Sequence, residues 1–217
     1  MALELYGRKD SVNVQKVMWL LAELGVEFEQ IEKGGQFGGL DQEDFQAMTP
    51  FGRVPVLKDG DFTISESNAI LRYIAMTQPG GEAFYPADPK VRATMDMWMD
   101  FGSQTLFPDF VTMFMQMVKT LPKDRRQNVV AITNRRFQTN LLAIGQTLDD
   151  RAWIVGDSMT LADMACGVYM YRYHALQGIK KQKQARVEAW TNRMFARPAY
   201  KSQVGVDFSH MFVRNED

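Results

Sequence analysis

The sequence predicts an α/β domain that contains a mixed sheet, followed by an all-α domain built as a helical bundle. Two observations lead to this fold class. Short apolar strands alternate with amphipathic helices in the first third of the chain, and strand signals almost vanish in the rest. Between these parts lies QPGGEAFYPAD, residues 78–88, whose prolines and glycines are typical of a linker. We therefore expect domains at residues 1–79 and 88–217, joined by residues 80–87.

The first strand is predicted at Leu3–Tyr6, where apolar and polar residues alternate. An amphipathic helix follows, which Ser11 opens and Gly25 ends. The second strand is predicted at Val26–Ile31. Because a helix connects the two strands, we expect them to be parallel.

The next segment is rich in glycine and leads to a second helix over Asp41–Met48, with Asp41 as its N-cap. The third strand is predicted at Val54–Leu57. The pair Asp59-Gly60 is a tight hairpin signal, so Asp61–Ser65 should return as an antiparallel fourth strand.

A third helix around residues 70–74 completes the first domain. The order is then strand, helix, strand, helix, strand, strand, helix. With one parallel pair and one antiparallel hairpin, this order describes a thioredoxin-like domain.

The second domain begins with Asp88, a helix cap, and Pro89 in the first turn, where its missing N–H costs nothing. A long helix should follow, which Pro108 must kink or break. Another amphipathic helix is predicted over Lys123–Leu148, and Thr160–Asp163 has the pattern of a capping box. The residues expected on the inner face of the Lys123–Leu148 helix are Val129, Ile132, Phe137, Leu141 and Ile144.

Composition argues against several classes of partner. The chain has 25 basic and 26 acidic residues, a formal net charge of -1, so no strong field draws it to nucleic acid or to an anionic membrane. No segment is apolar for the length of a bilayer span and no charged leader precedes an apolar region, which favours a cytoplasmic protein. The single cysteine, Cys166, forms neither an internal disulfide nor a thiolate metal cluster, and we expect it to be an inert core thiol without metal.

Several short motifs occur together in a characteristic order. They are SVNVQKVMWLLAELG (11–25), GGQFGGLDQEDF (34–45), RVPVL (53–57), DGD (59–61), ESNAI (66–70), YPADP (85–89), TLADMA (160–165) and RPAY (197–200). Together they resemble the cytosolic glutathione transferases, and among these the serine-type, theta-like bacterial members. The resemblance implies a homodimeric detoxification enzyme that uses glutathione as a co-substrate.

The resemblance also explains the proline in the third strand, since proline is normally confined to strand starts, edges and bulges. In the family the bond equivalent to Val54-Pro55 is cis, and the Val54 backbone pairs with the cysteinyl part of glutathione like an added strand. Glu66 then offers a carboxylate to the γ-glutamyl ammonium, and Ser67 offers its hydroxyl and helix N–H groups to the γ-glutamyl carboxylate. A plain helix cap remains the alternative for Glu66 and Ser67.

Three further glutathione contacts are implied. Arg53 is placed to hold the glycyl carboxylate in a paired fork. Gln36 lies in the segment where the family supplies other glycyl contacts. In a two-fold dimer, Asp100 is expected to approach the γ-glutamyl ammonium bound to the neighbouring subunit.

The chemistry needs a thiolate, because the thiol form of glutathione is a poor nucleophile. Ser11 stands at the mouth of the first helix, where a hydroxyl hydrogen bond and the helix dipole both favour a charged sulfur. Tyr6 ends the first strand, near the tyrosine that other classes use, and Asn13 offers an amide N–H. Which of the three polarises the sulfur stays open here, as does the reading of Ser11 as a simple cap.

The electrophile site is expected between the two domains, with an apolar and adaptable wall. Its candidate residues are Phe110, Met113, Met117, Tyr169 and Phe208. The electrophile itself is not identified by the sequence. Two alternatives also stay open: a catalytically silent glutathione-binding or interaction module with the same fold, and a glutathione-dependent isomerase, dehalogenase or peroxidase.

Overall fold

The computed structural model describes residues 3–213, and its N-terminal part is a four-stranded mixed sheet in the order β2-β1-β3-β4. β1 pairs with β2 in parallel and with β3 antiparallel, and β3 and β4 form an antiparallel hairpin. This is the predicted topology. The strands are β1 (Leu3–Tyr6), β2 (Phe28–Ile31), β3 (Val56–Asp59) and β4 (Phe62–Ser65).

Three helices accompany the sheet: α1 (Val12–Leu24), α2 (Glu43–Met48) and α3 (Ser67–Thr77). α1 begins after Ser11 and ends at Gly25, which adopts the left-handed conformation with φ 65° that glycine tolerates best. α1 packs against α3, so the interior of this domain lies between the sheet and the two helices.

Several predicted boundaries are wrong, among them the end of β3, which is Asp59 rather than Leu57, and the start of β4, which is Phe62 rather than Asp61. β3 begins at Val56 rather than Val54, since Pro55 has no N–H to give to the ladder. β2 begins at Phe28 rather than Val26, because Val26 N–H donates to the Leu21 carbonyl and so belongs to the end of α1. Asp41 does not cap α2, because the residue before this helix is Gln42.

Seven helices follow in the C-terminal part of the described chain. They are α4 (Pro89–Phe101), α5 (Phe107–Val118), α6 (Gln127–Leu148), α7 (Leu161–Gly167), α8 (Met170–Ala175), α9 (Ala185–Ala196) and α10 (Pro198–Gln203). Short 3-10 turns lie at residues 81–83, 122–124 and 209–211. None of the helices formed by residues 3–213 combines the length and hydrophobicity needed to cross a bilayer.

The long helix is interrupted as predicted. Asp88 caps α4 by accepting hydrogen bonds from the N–H groups of Lys90 (2.9 Å) and Val91 (3.0 Å). A π-helical stretch, Gly102–Leu106, then leads into α5, where Pro108 occupies the first turn. Pro108 has no N–H to donate, and the wider π turn accommodates this missing hydrogen bond in the helix. It also brings Gly102 against the backbone of α7, where an added Cβ would lie 2.7 Å from the Ala165 carbonyl oxygen.

The inner face of α6 is more polar than predicted. The helix begins at Gln127 rather than Lys123, and Ile132 is 45% exposed, so its predicted inward position is wrong. Val129 is only partly buried, while its neighbour Val130 is buried. The buried face of α6 is formed by Val130, Thr133, Asn134, Phe137, Gln138, Leu141, Ile144 and Leu148.

Asp163 is the centre of the predicted capping box at the start of α7. Its fully buried carboxylate accepts hydrogen bonds from Thr160 N–H (2.9 Å), Thr160 O–H (3.1 Å), Ile154 N–H (2.9 Å) and Trp190 Nε1–H (2.9 Å). Burial raises the pKa of this carboxyl, and these four donors act against that rise. A single side chain thus ties α7, α9 and the loop before α7 together.

Helix α1 also joins the two parts of the molecule. The indole of Trp19 packs edge to face on Tyr200 of α10, with ring centroids 4.8 Å apart. Arg197 and Glu23 form a paired ion bridge with two N···O distances of 2.6 Å. Cys166 of α7 is fully buried, and burial raises the pKa of its thiol, which fits the predicted inert core cysteine.

Candidate active site

A cavity of about 470 Å³ lies where the sheet domain meets α4 and α5. Its wall is formed by the 51–55 loop, the 65–72 segment at the start of α3, the 100–107 segment, Asn13 and Tyr169. The volume is in the range of small-molecule sites, and the position between two structural units is typical of them.

One edge of this cavity is the backbone around Val54. The Val54-Pro55 peptide bond is cis. Because the ladder between β1 and β3 begins only at Val56, the Val54 N–H and C=O form no hydrogen bond within residues 3–213. Gly7 allows the β1–α1 loop to approach, since a Cβ there would lie 3.0 Å from the Val54 Cβ. The site therefore presents an unpaired strand edge next to the loop that leads to α1.

At the start of α3 a negative side chain, Glu66, stands next to the positive end of a helix at Ser67, as the sequence predicts. Glu66 precedes the helix with φ 72°, a region that non-glycine residues rarely adopt and that often marks functional positions. Ser67 is the first residue of α3, where unpaired N–H groups and the helix dipole favour an anion. An exposed carboxylate and an anion-binding helix terminus thus adjoin each other in one cavity wall.

The three candidates for the thiol partner have different surroundings. Ser11 occupies the N-cap position of α1, yet its side chain makes no capping hydrogen bond within the described part of the chain. Asn13 lines the cavity, and its Oδ1 lies 3.5 Å from the Ser67 hydroxyl oxygen. Tyr6 donates its hydroxyl to Glu4 at 2.6 Å, and burial together with this hydrogen bond raises the pKa of Tyr6 to about 12. Of the three candidates only Asn13 lines the cavity. Tyr6 is occupied by Glu4, whereas the Ser11 hydroxyl is not used by its own helix.

Of the three further predicted glutathione contacts, Arg53 and Asp100 line the cavity and Gln36 does not. Arg53 lines the cavity with an exposed side chain. Asp100 also lines the cavity of its own chain, although the sequence placed it near the site of a neighbouring subunit. Gln36 is exposed in the 3-10 turn at 35–37 and does not line this cavity.

The predicted electrophile residues are mostly buried in the helical domain. Of the five candidates only Tyr169 lines the cavity, where Phe107 joins it with ring centroids 5.8 Å apart. The Tyr169 hydroxyl is buried and has no hydrogen-bond partner among residues 3–213. Burial raises the pKa of this phenol. The other four, Phe110, Met113, Met117 and Phe208, pack in the hydrophobic core of the helical domain and do not line the cavity.

Two functional candidates were missed by the sequence analysis. Lys16 of α1 is 1% exposed, and its ammonium donates to Ser67 Oγ (3.1 Å) and Asn68 Oδ1 (2.9 Å) directly behind the cavity wall. Asn68 itself lines the cavity and donates its Nδ2–H to the Met99 carbonyl of α4 at 2.9 Å. The signal was a lysine in the mostly apolar run VNVQKVMWLL, in which every residue but Asn13 is buried.

A second buried cation holds the loop before α1. Arg172 of α8 is 3% exposed and donates to the Asp10 carbonyl at 2.8 Å and to Gln15 Oε1 at 3.2 Å. Burial lowers the pKa of Arg172 to about 10. His210 near the C-terminus contacts the Asp10 carboxylate at 3.2 Å. The helical domain therefore fixes the position of the residue that precedes Ser11.

Comparison with known proteins gives one consistent result. Residues 1–76 match the model of the glutathione S-transferase N-terminal domain, and residues 94–198 match that of the glutathione S-transferase C-terminal domain. The chain is 32% identical over 209 residues to glutathione S-transferase GstB of Escherichia coli K12, covering 95% of this chain and 100% of the relative. It is 31% identical over 214 residues to a glutathione S-transferase of Hyoscyamus muticus, covering 94% of this chain and 98% of the relative.

Solved structures agree with these relatives. The theta class glutathione S-transferase of Xanthomonas axonopodis pv. citri, crystallised with glutathione bound, is similar with a TM-score of 0.89 and 32% identity, covering 95% of this chain and 98% of that one. Glutathione transferase F7 of Populus trichocarpa is similar with a TM-score of 0.83 and 26% identity, covering 95% of this chain and 100% of that one.

Proposed function

This chain belongs to the glutathione S-transferase family, and we propose that it binds glutathione along Val54, ionises the thiol beside Ser11 and adds the thiolate to an apolar electrophile. The chain is a glutathione transferase by its relatives over essentially its whole length. Residues 1–79 are then the glutathione-binding domain and residues 88–217 the helical domain. The free backbone edge at Val54, in one cavity with Glu66 and Ser67, is the observation that carries this proposal.

The tripeptide occupies the cavity in a defined direction in this proposal. Its cysteinyl backbone pairs with the Val54 N–H and C=O, which places the sulfur toward the loop that carries Ser11. The γ-glutamyl carboxylate binds Ser67, and the γ-glutamyl ammonium binds Glu66 with help from Asp100. Arg53 holds the glycyl carboxylate, and Gln36, which lies in the 35–37 turn outside the cavity lining, has no part in this binding mode.

The chemical step then needs little beyond a stabilised charge. The Ser11 hydroxyl donates to the thiolate, and the N-terminus of α1 adds its positive dipole. The sulfur lone pair forms a bond to the electrophilic carbon, and the electrons of the bond that breaks leave with the departing group or move onto an oxygen atom. Phe107 and Tyr169 form the cavity wall against which an apolar electrophile packs. A detoxification role in the cytoplasm is part of this proposal, as the resemblance to the cytosolic glutathione transferases implies.

Replacing Ser67 by alanine should lower the affinity for glutathione about tenfold, because a buried donor to a carboxylate contributes roughly 1.5 kcal/mol. Isothermal titration calorimetry measures this change. Ser202→Ala on the exposed surface of α10 is the matched control and should leave the affinity unchanged. Equal affinities for the wild type and Ser67→Ala would contradict the binding mode. Failure of the wild type to bind glutathione would contradict the proposed function itself.

We also propose that the protein forms a two-fold dimer through the face that carries β4, α3 and α4. These elements carry exposed large apolar side chains: Phe62 47%, Met76 56% and Met97 56%, with Phe51 (56%) in the loop before β3. Where exposed apolar side chains form one patch, they mark an interaction surface. Sedimentation equilibrium should give twice the mass of 24.8 kDa, and Met97→Glu should give the monomer mass. A wild-type monomer at micromolar concentration would contradict the dimer.

A further inference from the structure

Lys16 is a cation without an anion. Its ammonium is buried in α1, and none of the salt bridges formed by residues 3–213 includes it. Its two hydrogen-bond partners, Ser67 Oγ and Asn68 Oδ1, are neutral oxygens. Burying a charge is costly unless an opposite charge compensates it, so a buried unpaired lysine points to an anion that the protein itself does not supply.

The hydrogen-bond directions indicate where that anion binds. An ammonium only donates, so Ser67 Oγ accepts from Lys16 and its own proton must point elsewhere. The one other partner of this hydroxyl in the described chain is Asn13 Oδ1 at 3.5 Å, the limit of a hydrogen bond. Ser67 and Asn13 both line the cavity, whereas Lys16 lies behind its wall. The contact with Lys16 therefore leaves the Ser67 proton for Asn13 or for a ligand in the cavity.

We propose that Lys16 is a positioning residue, which orients the Ser67 hydroxyl and charges this end of the cavity for the γ-glutamyl carboxylate of glutathione. This inference rests on the proposed function, since it assigns a role within the same site. In this arrangement the Lys16 ammonium, the Ser67 hydroxyl and the N-terminus of α3 act on the same carboxylate, and each of the three favours its binding. Asn68 fixes the other side of the ammonium and is held in turn by the Met99 carbonyl.

The same contacts give Lys16 a pH-dependent charge. Burial lowers the pKa of Lys16 to about 8. Cys166 and Glu66 face it with an opposing effect, and Arg72, itself paired with Asp96 at 2.6 Å, adds to the lowering. The ammonium is charged below pH 8 and loses its proton above it. An anion bound at Ser67 raises this pKa again, so binding near pH 8 must take up a proton.

The test uses S-methylglutathione, whose blocked sulfur has no proton to release on binding. A second ligand is the same compound without its γ-glutamyl carboxylate. Both are titrated calorimetrically into the wild type, Lys16→Gln and Lys16→Met at pH 8, in two buffers of different ionisation enthalpy. Lys16→Gln keeps a hydrogen-bond donor without the charge, and thermal melting establishes that each variant is folded.

We expect removal of the ligand carboxylate to weaken binding about tenfold more in the wild type than in either variant. The wild type should also take up roughly half a proton more than the variants with S-methylglutathione, and this difference should vanish with the second ligand. A purely structural lysine would change neither quantity.

Three outcomes count against the inference. If removal of the ligand carboxylate weakens binding equally in the wild type and in Lys16→Gln, the inference is wrong and the proposed function is unaffected. Should both variants fail to fold, the absence of proton uptake by the wild type between pH 7 and 9 would overturn it as well. A wild type that does not bind S-methylglutathione at all would overturn the proposed function and this inference together.

Discussion

Replacing Ser11 by alanine should lower kcat/KM at neutral pH by about 10- to 100-fold with any electrophile whose addition limits the rate. A hydrogen bond to a charged group contributes roughly 1.5–3 kcal/mol, and the loss falls on the thiolate alone. The binding of the γ-glutamyl and glycyl ends is unchanged, so the KM for glutathione should change by less than about threefold. Steady-state kinetics across pH measures both quantities, and the acid limb of the kcat/KM profile should move to higher pH.

Matched variants separate the three candidates for this role. Ser11→Thr keeps a hydroxyl and should retain most of the activity. Tyr6→Phe should have little effect, because the Tyr6 hydroxyl is donated to Glu4. Asn13→Ala should act through Ser67 and glutathione affinity, since Asn13 Oδ1 lies 3.5 Å from the Ser67 hydroxyl. A full loss with Asn13→Ala and none with Ser11→Ala would assign the thiol to Asn13 instead.

Replacing Asp163 by alanine should lower the free energy of unfolding by about 3 kcal/mol or more. The substitution leaves four donors, on Ile154, Thr160 and Trp190, unpaired in a fully buried environment. Each unpaired buried donor costs about 1–3 kcal/mol. Because the surrounding structure relaxes in part, the expected loss is smaller than four times this cost. For a chain of this length the melting temperature should fall by roughly 6–12 °C.

Asp157→Ala is the matched control, because Asp157 is exposed in the same loop. It should change the unfolding free energy by less than about 0.5 kcal/mol. Asp163→Asn should lie between the two, since its amide oxygen still accepts while its NH₂ faces the Thr160 donors. Equal melting temperatures for Asp163→Ala and Asp157→Ala would show that this network does not hold α7 and α9 together.

Much of the fold was predictable, because local signals agreed with the tertiary structure. The helix between the first two strands requires them to be parallel, and they are. Asp88 caps α4, and Pro108 coincides with a break in the long helix. The parallel pair follows from the connection between the strands, and Asp88 and Pro108 act through local backbone requirements at a helix start and at a missing N–H.

Other features were settled by long-range contacts that periodicity does not report. On α6, the polar side chains of Asn134 and Gln138 are buried because both donate to the Lys180 carbonyl, at 2.8 and 3.1 Å. Their partner lies more than 40 positions away in the sequence. A prediction from the apolar pattern alone therefore placed Ile132 on the inner face of α6, whereas this side chain is exposed.

In the candidate site, too, some residues were predicted from the sequence and others were not. The resemblance pointed to Val54, Glu66 and Ser67, and the structure brings all three to one cavity. The electrophile residues were chosen for apolarity, and most of them pack in the core, since apolarity does not distinguish a core from a wall. Lys16 was missed because its partners, Ser67 and Asn68, are about 50 residues away and meet it only in the folded chain.

The most direct test of the central claim is an ultraviolet difference titration of glutathione bound to the protein, with S-methylglutathione as the blank. Thiolate formation in the complex should follow a pKa about 2 units below the value of roughly 8.5 for a free thiol, and Ser11→Ala should abolish most of that lowering. A bound thiol that titrates like a free one in the wild type would contradict the account.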